Sequence, residues 1–346
     1  MSMRWGMTVP LAGVPLAEHK AVYEALAGAG FTDLWSSEVA GADAFTPLAM
    51  AAAWTPAMRL GTAIAPVFTR GPGLLAMSAA ALADAAPGRF QLGIGSSSPV
   101  VVGDWNAIDF SEPYERSRDT LRFLKQALAG ETVDHDYGTF ALRRFRLERP
   151  PAIPPQILLA ALRPGMLRLA AAEADGVILN WLSAADVSTA LAETKDATTA
   201  RAETRDATTA RAGTKSAAAG FDVACRIFVC PTDDAAYARA VGRRLIAAYL
   251  TVPAYADFHR WLGREEVLTP MWAAWAAGDR KTALSSIPDE VVDDLIVHGT
   301  PADCRAKVAA YADRGVTVPI MALLPTPALE SGGPAALLET LTALGR

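Results

Sequence analysis

The sequence predicts an α/β protein built as a (β/α)8 barrel with insertions. Stretches typical of buried strands alternate with stretches typical of helices along almost all of the 346 residues, in about eight strand–helix units. This alternation favours a parallel sheet covered by helices, and eight units favour a closed barrel over an open sheet. With 51% hydrophobic residues, the chain can bury a large core. We therefore predict one barrel domain over residues 1–346.

The first half of the chain contains four predicted strands, each followed by a helix. Their sequences are RWGMTVP, FTDLWSS, RLGTAIAPV and RFQLGIG, which begin at Arg4, Phe31, Arg59 and Arg89. Gly30 is typical of the residue that ends a helix. Pro113 suits the first turn of the fourth helix, and Gly130 suits its end.

The second half repeats this order. Its predicted strands are PPQILLAAL, DGVILNW, FDVACRIFVCP and VTVPIMALLP, which begin at Pro154, Asp175, Phe221 and Val316. Before the last strand, Thr300 is predicted to be the N-cap of a helix whose first residue is Pro301.

Two segments interrupt the alternation. Residues 193–215 contain a near-identical duplication, ETKDATTARA followed by ETRDATTARA, and lack large apolar side chains, so we expect a solvated helix extension or a mobile insertion. Residues 251–298 are predicted to be a helical insertion rich in aromatic residues. It could cover a ligand pocket, form a subunit interface, or pack against the barrel.

Composition excludes several classes of function. The net charge of -5 argues against nucleic-acid binding, and no apolar run approaches the roughly 20 residues that cross a membrane. The N-terminus lacks the pattern of a signal peptide, and the three cysteines form no C-x-x-C pair. We therefore expect a cytoplasmic protein with buried thiols. Scattered histidines and the lack of paired carboxylates give no support to metal or glycosidase chemistry.

In a (β/α)8 barrel, function lies at the carboxyl ends of the strands. Here those ends offer backbone groups, hydroxyls and an amide, which suit a polar planar cofactor that brings its own reactivity. Arg163, Pro164 and Gly165 begin a helix and could bind a phosphate, although they could equally be an ordinary helix start. Arg70 is a weaker phosphate candidate.

The stretch GIGSSSP after the fourth strand has the look of a dinucleotide-binding loop, but it fails in detail. Ser98 occupies the position of the third glycine, and no helix opens directly after it. Three strand–helix units also precede it, whereas the fingerprint belongs to the first.

Four stretches together resemble the bacterial-luciferase-like flavin and deazaflavin oxidoreductases, especially the actinobacterial group that depends on coenzyme F420. They are RLGTAIAPVFTRGP, GRFQLGIGSSSPVVVGDWN, PPQILLAALRPGMLRLAAAEADGVILNW and PADCRAKVAAYADRG. The resemblance covers nearly the whole chain except the duplicated decapeptide. It implies a (β/α)8 barrel that acts on a small molecule, and we further expect a homodimer.

The resemblance also implies the residues that bind the cofactor. A cis peptide in the third strand would fall at Ala63–Ile64. Residues that line the ring and its side chain would be Gly95, Ser96, Ser97 and Ser98. The phosphate would lie at Arg163, Pro164, Gly165 and Met166, and a further polar contact would come from Asn180 and Trp181.

One position departs from the pattern of the family. Several relatives have an acidic residue followed by histidine after the second strand, whereas here Val39 follows Glu38. Glu38 is then the best candidate for a catalytic proton donor or substrate contact, and a structural salt bridge is the alternative. Ser98 also stands where some relatives have glutamate.

Three functions follow from these observations. The first is an F420-dependent oxidoreductase that transfers a hydride between C5 of the deazaflavin and a small organic substrate. The second is an FMN-dependent monooxygenase of the same fold. The third is a barrel without catalysis that acts as a binding or interaction protein.

Overall fold

The computed structural model describes residues 4–196, 198–199 and 220–345, and these divide into two compact units. The first unit comprises Met1–Leu34, Leu179–Thr189 and Cys225–Arg346, and the second comprises Trp35–Ile178 and Ala190–Ala224. The single domain over residues 1–346 stays a prediction. Apart from its first residues, the duplicated segment 193–215 lies outside the described residues.

The strands are short and recur along the chain. In order they are β1 (Gly6–Thr8), β2 (Asp33–Ser36), β3 (Arg59–Thr62), β4 (Ala65–Pro66), β5 (Phe90–Gly95), β6 (Val133–Asp136), β7 (Ala141–Phe145), β8 (Gln156–Ala160), β9 (Gly176–Asn180), β10 (Asp222–Cys230), β11 (Ile296–His298) and β12 (Val318–Leu323).

Helices separate most of these strands. They are α1 (His19–Gly28), α2 (Thr46–Trp54), α3 (Pro72–Ala85), α4 (Pro113–Leu128), α5 (Pro164–Glu173), α6 (Val187–Ala192), α7 (Ala235–Leu250), α8 (Pro253–Trp261), α9 (Glu265–Ala276), α10 (Arg280–Ser285), α11 (Asp289–Leu295), α12 (Pro301–Asp313) and α13 (Pro327–Leu344). Among the described residues there are also short helical turns at Leu16–Glu18 and Val100–Asp104. Within the described residues, no helix has the length and apolar character needed to cross a bilayer.

The strand order confirms the predicted (β/α)8 barrel. The main sheet runs β11-β10-β12-β1-β2-β3-β5-β8-β9, and β9 also pairs with β10. In the first unit, β1 is parallel to β12, with Met7 opposite Met321. In the second unit, β5 lies parallel between β3 and β8.

Gly93 in β5 allows two strands to approach closely. A Cβ atom at this position would lie only 1.9 Å from the carbonyl oxygen of Thr62. The hydroxyl of Thr62 accepts a hydrogen bond from the Gly93 N–H and donates one to the Gly93 carbonyl, both at 2.8 Å. Glycine is therefore required here by contact with the backbone of β3 rather than by a ligand.

The predicted helix ends are present. Thr300 caps α12 in a capping box with Asp303, and Pro301 is its first residue. Gly30 follows α1 with φ of 90°, the left-handed conformation that favours glycine. Pro113 begins α4, and Gly130 follows it with φ of 85°.

The structure adds elements that the sequence reading missed. The antiparallel hairpin of β6 and β7 was not predicted, because its strands are largely exposed and polar and so lack an apolar pattern. The segment 251–298 is helical as expected, but its last three residues form β11, which is parallel to β10. The helical part packs against β10 and α7, with Leu268 and Met271 fully buried.

His259 in α8 is completely enclosed by the first unit. Burial and the positive charge of Arg264 together lower its pKa from 6.5 to about 4, against the opposite effect of Asp186. The imidazole is therefore neutral in the folded protein at neutral pH.

We expect Gly93→Ala to destabilise the protein by about 3 kcal/mol or more, because the clash is with backbone that cannot move cheaply. The urea midpoint at constant m-value measures the effect. Gly28→Ala is the control, because nothing lies within 4 Å of a Cβ there and alanine favours the helix. An equal midpoint for the two variants would contradict the close approach.

His259 should make the protein less stable in acid. The unfolded chain takes up a proton near pH 6.5 and the folded chain only near pH 4. The contribution of His259 to the free energy of unfolding is therefore full above pH 6.5 and falls as the pH drops towards 4. The loss amounts to about 3 kcal/mol. His259→Leu should remove it from urea titrations at pH 7 and pH 4, whereas the exposed His135→Leu should not. A loss that persists in His259→Leu would show that other groups cause it.

Candidate functional site

In the second unit, β5 ends in a short run of small polar residues. Ser96, Ser97 and Ser98 are each half-buried, and Ser97 adopts a left-handed backbone with φ of 66°. The Ser98 hydroxyl accepts a hydrogen bond from the N–H of Val101 at 3.3 Å, which starts the next helical turn. The chain therefore turns sharply after β5 and keeps these small side chains at the strand end.

The predicted cis peptide is present between Ala63 and Ile64. The peptide lies between β3 and β4. The N–H before it and the carbonyl after it form hydrogen bonds with the backbone at and just beyond the end of β2. The N–H of Ala63 donates to the carbonyl of Ser36 at 2.6 Å, and the Ile64 carbonyl accepts from the N–H of Glu38 at 3.2 Å. The Ile64 side chain lies 3.4 Å from the position of a Cβ on Gly95. Ile64 and Gly95 are thus neighbours, and their place beside a cofactor ring, with Ala63, stays a prediction.

Glu38 is held by hydrogen bonds to both carboxylate oxygens. Oε1 accepts from the Thr69 hydroxyl at 3.2 Å, and Oε2 accepts from the N–H of Ala44 at 3.0 Å. Arg70 donates to Oε2 through Nε at 3.1 Å and Nη2 at 2.8 Å. The structure therefore shows the salt bridge that was the alternative to catalysis. A carboxylate fixed in this way serves as an acceptor that positions Arg70.

Arg70 is paired with two carboxylates, and the weaker expectation that it binds a phosphate stays a prediction. Besides Glu38 it reaches Asp43 at 3.3 Å, and its guanidinium carbon lies 4.8 Å from the centre of the Phe45 ring. Backbone hydrogen bonds and Arg70 lower the pKa of Asp43 against the effect of its burial. The cluster of Glu38, Asp43 and Arg70 therefore stabilises the loop after β2.

The predicted phosphate residues do form a helix start. Arg163 is the extended N-cap of α5, and Pro164 is its first residue. Arg163 and Gly165 are exposed, and Met166 is half-buried. The N–H groups of this first turn are of the kind that binds phosphate. Phosphate binding here stays a prediction.

In the first unit, Asn180 and Trp181 end β9 and differ from each other. Asn180 is half-buried, and its Nδ2 donates to the Tyr255 hydroxyl at 3.2 Å. Trp181 is only 1% exposed, and its ring lies 4.3 Å from Phe228 and 4.9 Å from Tyr249. The Trp181 ring therefore belongs to the core, and a polar contact from this residue to the cofactor stays a prediction. Its backbone, with φ of 57°, makes the turn there.

The residues at the strand ends fit a flat cofactor better than a metal. A Cβ atom at Gly95 would be crowded, because it would lie 3.0 Å from the Cβ of Ala160. In the first unit, the Oδ1 atom of Asn180 is buried without a hydrogen-bond partner. In the part of the chain that the structure describes, no group of three or more His, Cys, Asp or Glu residues could bind a metal.

Comparison with known families decides the relationship. The model of the luciferase-like monooxygenase family matches residues 3–318. The chain belongs to this family. The resemblance inferred from the four stretches is therefore confirmed.

Individual proteins agree with this assignment. A Mycobacterium tuberculosis protein named as a coenzyme F420-dependent oxidoreductase is 29% identical over 328 residues, which cover 89% of this chain and 91% of that protein. The structure of coenzyme F420-dependent tetrahydromethanopterin reductase from Methanopyrus kandleri has a TM-score of 0.74 and 18% identity, and covers 100% of this chain and 98% of that one.

An FMN-binding structure also shares the fold. The oxygenating constituent of 3,6-diketocamphane monooxygenase from Pseudomonas putida, in complex with FMN, has a TM-score of 0.64 and 16% identity, with coverage of 100% and 98%. At these identities the two structures show the fold alone.

Glu38 and Arg70 should show energetic coupling. In a double-mutant cycle of Glu38→Gln and Arg70→Gln, measured by urea unfolding, we expect a coupling energy of about 1 kcal/mol or more, since the pair is mostly buried and doubly bonded. Arg149 and Asp84 form an exposed pair at 3.0 Å and provide the matched control, with coupling near zero. Equal coupling in the two pairs would contradict a structural role for Glu38.

Proposed function

We propose that this protein is a coenzyme F420-dependent oxidoreductase that transfers a hydride between C5 of the deazaflavin and a small organic substrate. The observation that carries the proposal is the similarity to the Mycobacterium tuberculosis protein over nearly the full length of both chains. The strand ends support it, because they provide small residues and backbone, and among the described residues no group of three or more His, Cys, Asp or Glu could bind a metal. An enzyme built in this way must obtain its reactivity from a cofactor.

The residues of the second unit would hold the cofactor. In this proposal the ring lies against Gly95, Ser96 and Ser97 and against the peptide at Ala63–Ile64. The phosphate binds at the start of α5, where the N–H groups of the first turn and Arg163 provide positive charge. When bound, the deazaflavin supplies or accepts two electrons together with a hydrogen at C5.

The other tasks fall to this chain's own residues. Small side chains at Ser96 and Ser97 let backbone donors approach the ring. These donors fix the orientation of the ring, and the rate gain from positioning arises from such a fixed orientation. Glu38 and Arg70 keep the loop after β2 in place. A cytoplasmic homodimer stays an expectation.

An FMN-dependent monooxygenase is the second candidate, because the Pseudomonas putida protein with FMN has the same fold. A phosphate site at α5 would serve FMN equally well. The choice of F420 rests on the sequence similarity alone, since the fold is common to both. A yellow purified protein that consumes oxygen with reduced FMN would favour this second candidate.

Binding of F420 tests the proposal directly. We expect the purified protein to bind F420 with a Kd at or below roughly tens of micromolar, about −6 kcal/mol or stronger. Ser96→Trp should weaken binding at least tenfold, because an indole would occupy the space of the ring. Ser96 has no left-handed backbone to strain, and the exposed Ser331→Trp is the control.

Fluorescence titration with F420 and with FMN, plus circular dichroism of each variant, provides the measurements. Absence of F420 binding by the wild-type protein, or unchanged affinity in a folded Ser96→Trp variant, would contradict the proposal.

A further inference from the structure

Asn180 carries a hydrogen-bond acceptor that the fold leaves without a partner. Its Oδ1 atom is buried and accepts no hydrogen bond, while its Nδ2 donates to the Tyr255 hydroxyl at 3.2 Å. Among the buried side-chain oxygens without a partner in the described part of the chain, it is the only one that can accept a hydrogen bond but cannot donate one. An unmade hydrogen bond leaves the cost of desolvating the group uncompensated. A donor carried by another molecule would recover this cost.

The side-chain amides at the other end of the barrel strands are paired within the protein. Oε1 of Gln156 accepts a hydrogen bond from Nε2 of Gln91 at 2.7 Å, and the same Nε2 donates to Asp222 at 2.6 Å. These three residues lie at the amino ends of β8, β5 and β10, the end of a barrel that serves stability. Asn180 is instead the last residue of β9, at the carboxyl end, where barrels bind their ligands. The unpaired amide oxygen therefore lies at the end of the strand where function is expected.

Tyr255 in α8 adds a donor next to this acceptor. Its oxygen receives the hydrogen from Asn180 Nδ2, and among the described residues no group accepts its own hydroxyl proton. By contrast, the hydroxyl of the buried Tyr311 donates to the carbonyl of Leu182 at 3.0 Å. Burial is the main cause that raises the pKa of Tyr255 to about 12, so its hydroxyl keeps the proton at neutral pH. The hydroxyl is therefore able to donate to a ligand.

The Tyr255 side chain is restrained at both ends. Its ring packs edge-on against the ring of Tyr249, with 5.8 Å between the centres, and its hydroxyl is held by Asn180. Asn180 and Tyr255 are each half-buried, so both retain surface that a ligand can touch. The hydroxyl is thus oriented before a ligand arrives, which lowers the entropy lost on binding.

The free acceptor and the free donor belong to side chains joined by one hydrogen bond, which we call the Asn180–Tyr255 pair. The group that complements the pair carries an N–H beside a carbonyl oxygen, because the N–H can donate to Oδ1 and the carbonyl can accept from the hydroxyl. A lactam and the imide edge of a pyrimidinedione ring both have this pattern. A carboxylate or a ketone lacks the donor and leaves Oδ1 unpaired.

We propose that the Asn180–Tyr255 pair binds a cis amide group, a lactam or an imide, carried by a ligand of this protein. Asn180 accepts a hydrogen bond from the amide N–H, and Tyr255 donates one to the amide carbonyl. The group can belong to an organic substrate or to the ring system of the deazaflavin, which has an imide edge. In both cases the inference deepens the proposed function and rests on it for the identity of the ligand.

Two matched probes test the pair in the full chain without cofactor. Carbostyril is a bicyclic aromatic lactam with adjacent N–H and carbonyl groups, and N-methylcarbostyril carries a methyl group in place of this hydrogen. Fluorescence titration should show that the wild-type protein binds carbostyril about fivefold more tightly or better, because only its N–H satisfies the buried oxygen of Asn180. Equal affinities, or no binding of carbostyril, would overturn the proposal.

Variants assign the two hydrogen bonds separately. Asn180→Leu keeps the shape of the side chain but removes its oxygen, so the ratio of the two affinities should fall to about one. Tyr255→Phe removes the donor to the carbonyl that both probes carry, so both affinities should fall severalfold while the ratio persists. Tyr249→Phe is the matched control and should change neither affinity, because it removes a hydroxyl from the neighbouring ring that does not bond to Asn180.

Circular dichroism shows whether each variant is folded, and the two variants test different bonds, so each decides independently. A ratio that persists in folded Asn180→Leu would assign the preference to crowding by the methyl group and overturn the proposal. Unchanged affinities in folded Tyr255→Phe, or an equal loss in Tyr249→Phe, would overturn it as well.

Binding of F420 to the same variants identifies the ligand that carries the amide. If F420 displaces carbostyril and binds more weakly to Asn180→Leu, the group is the imide edge of the deazaflavin. If carbostyril binds equally well to the F420 complex, the group belongs to the substrate. A wild-type protein that prefers carbostyril but does not bind F420 would refute the proposed function and leave the pair standing, whereas F420 binding without a preference for carbostyril would do the reverse.

Discussion

The contact between β3 and β5 at Thr62 and Gly93 determines where the strand ends lie in the second unit. No side chain fits between these backbones, and the Thr62 hydroxyl binds both the N–H and the carbonyl of Gly93. The next peptide is Ala63–Ile64, after which β4 continues beside the last residues of β5. Fixing Thr62 therefore fixes Ile64 beside Gly95, and the serines follow directly.

A charged side chain that is paired within the protein serves the fold. Arg70 donates two hydrogen bonds to one carboxylate oxygen of Glu38, and this pair holds the loop after β2 in place.

The sequence alone predicts those elements that are determined by residues close together in the chain. Thr300 with Pro301 predicts a capped helix from neighbouring residues, and the alternation of strands and helices predicts the barrel. The hairpin of β6 and β7 was missed because exposed strands carry no apolar pattern. The cis peptide was found only through the resemblance, since nothing in the residues Ala63 and Ile64 themselves demands it.

The site was predictable in its backbone but not in its side-chain partners. Thr69 and Arg70 are 31 and 32 residues from Glu38, so the salt bridge depends on how β2 and β4 end in space. Trp181 follows Asn180 directly, yet its ring is buried against Phe228 and Tyr249. Tyr255 was visible only as one aromatic residue among several in the helical segment.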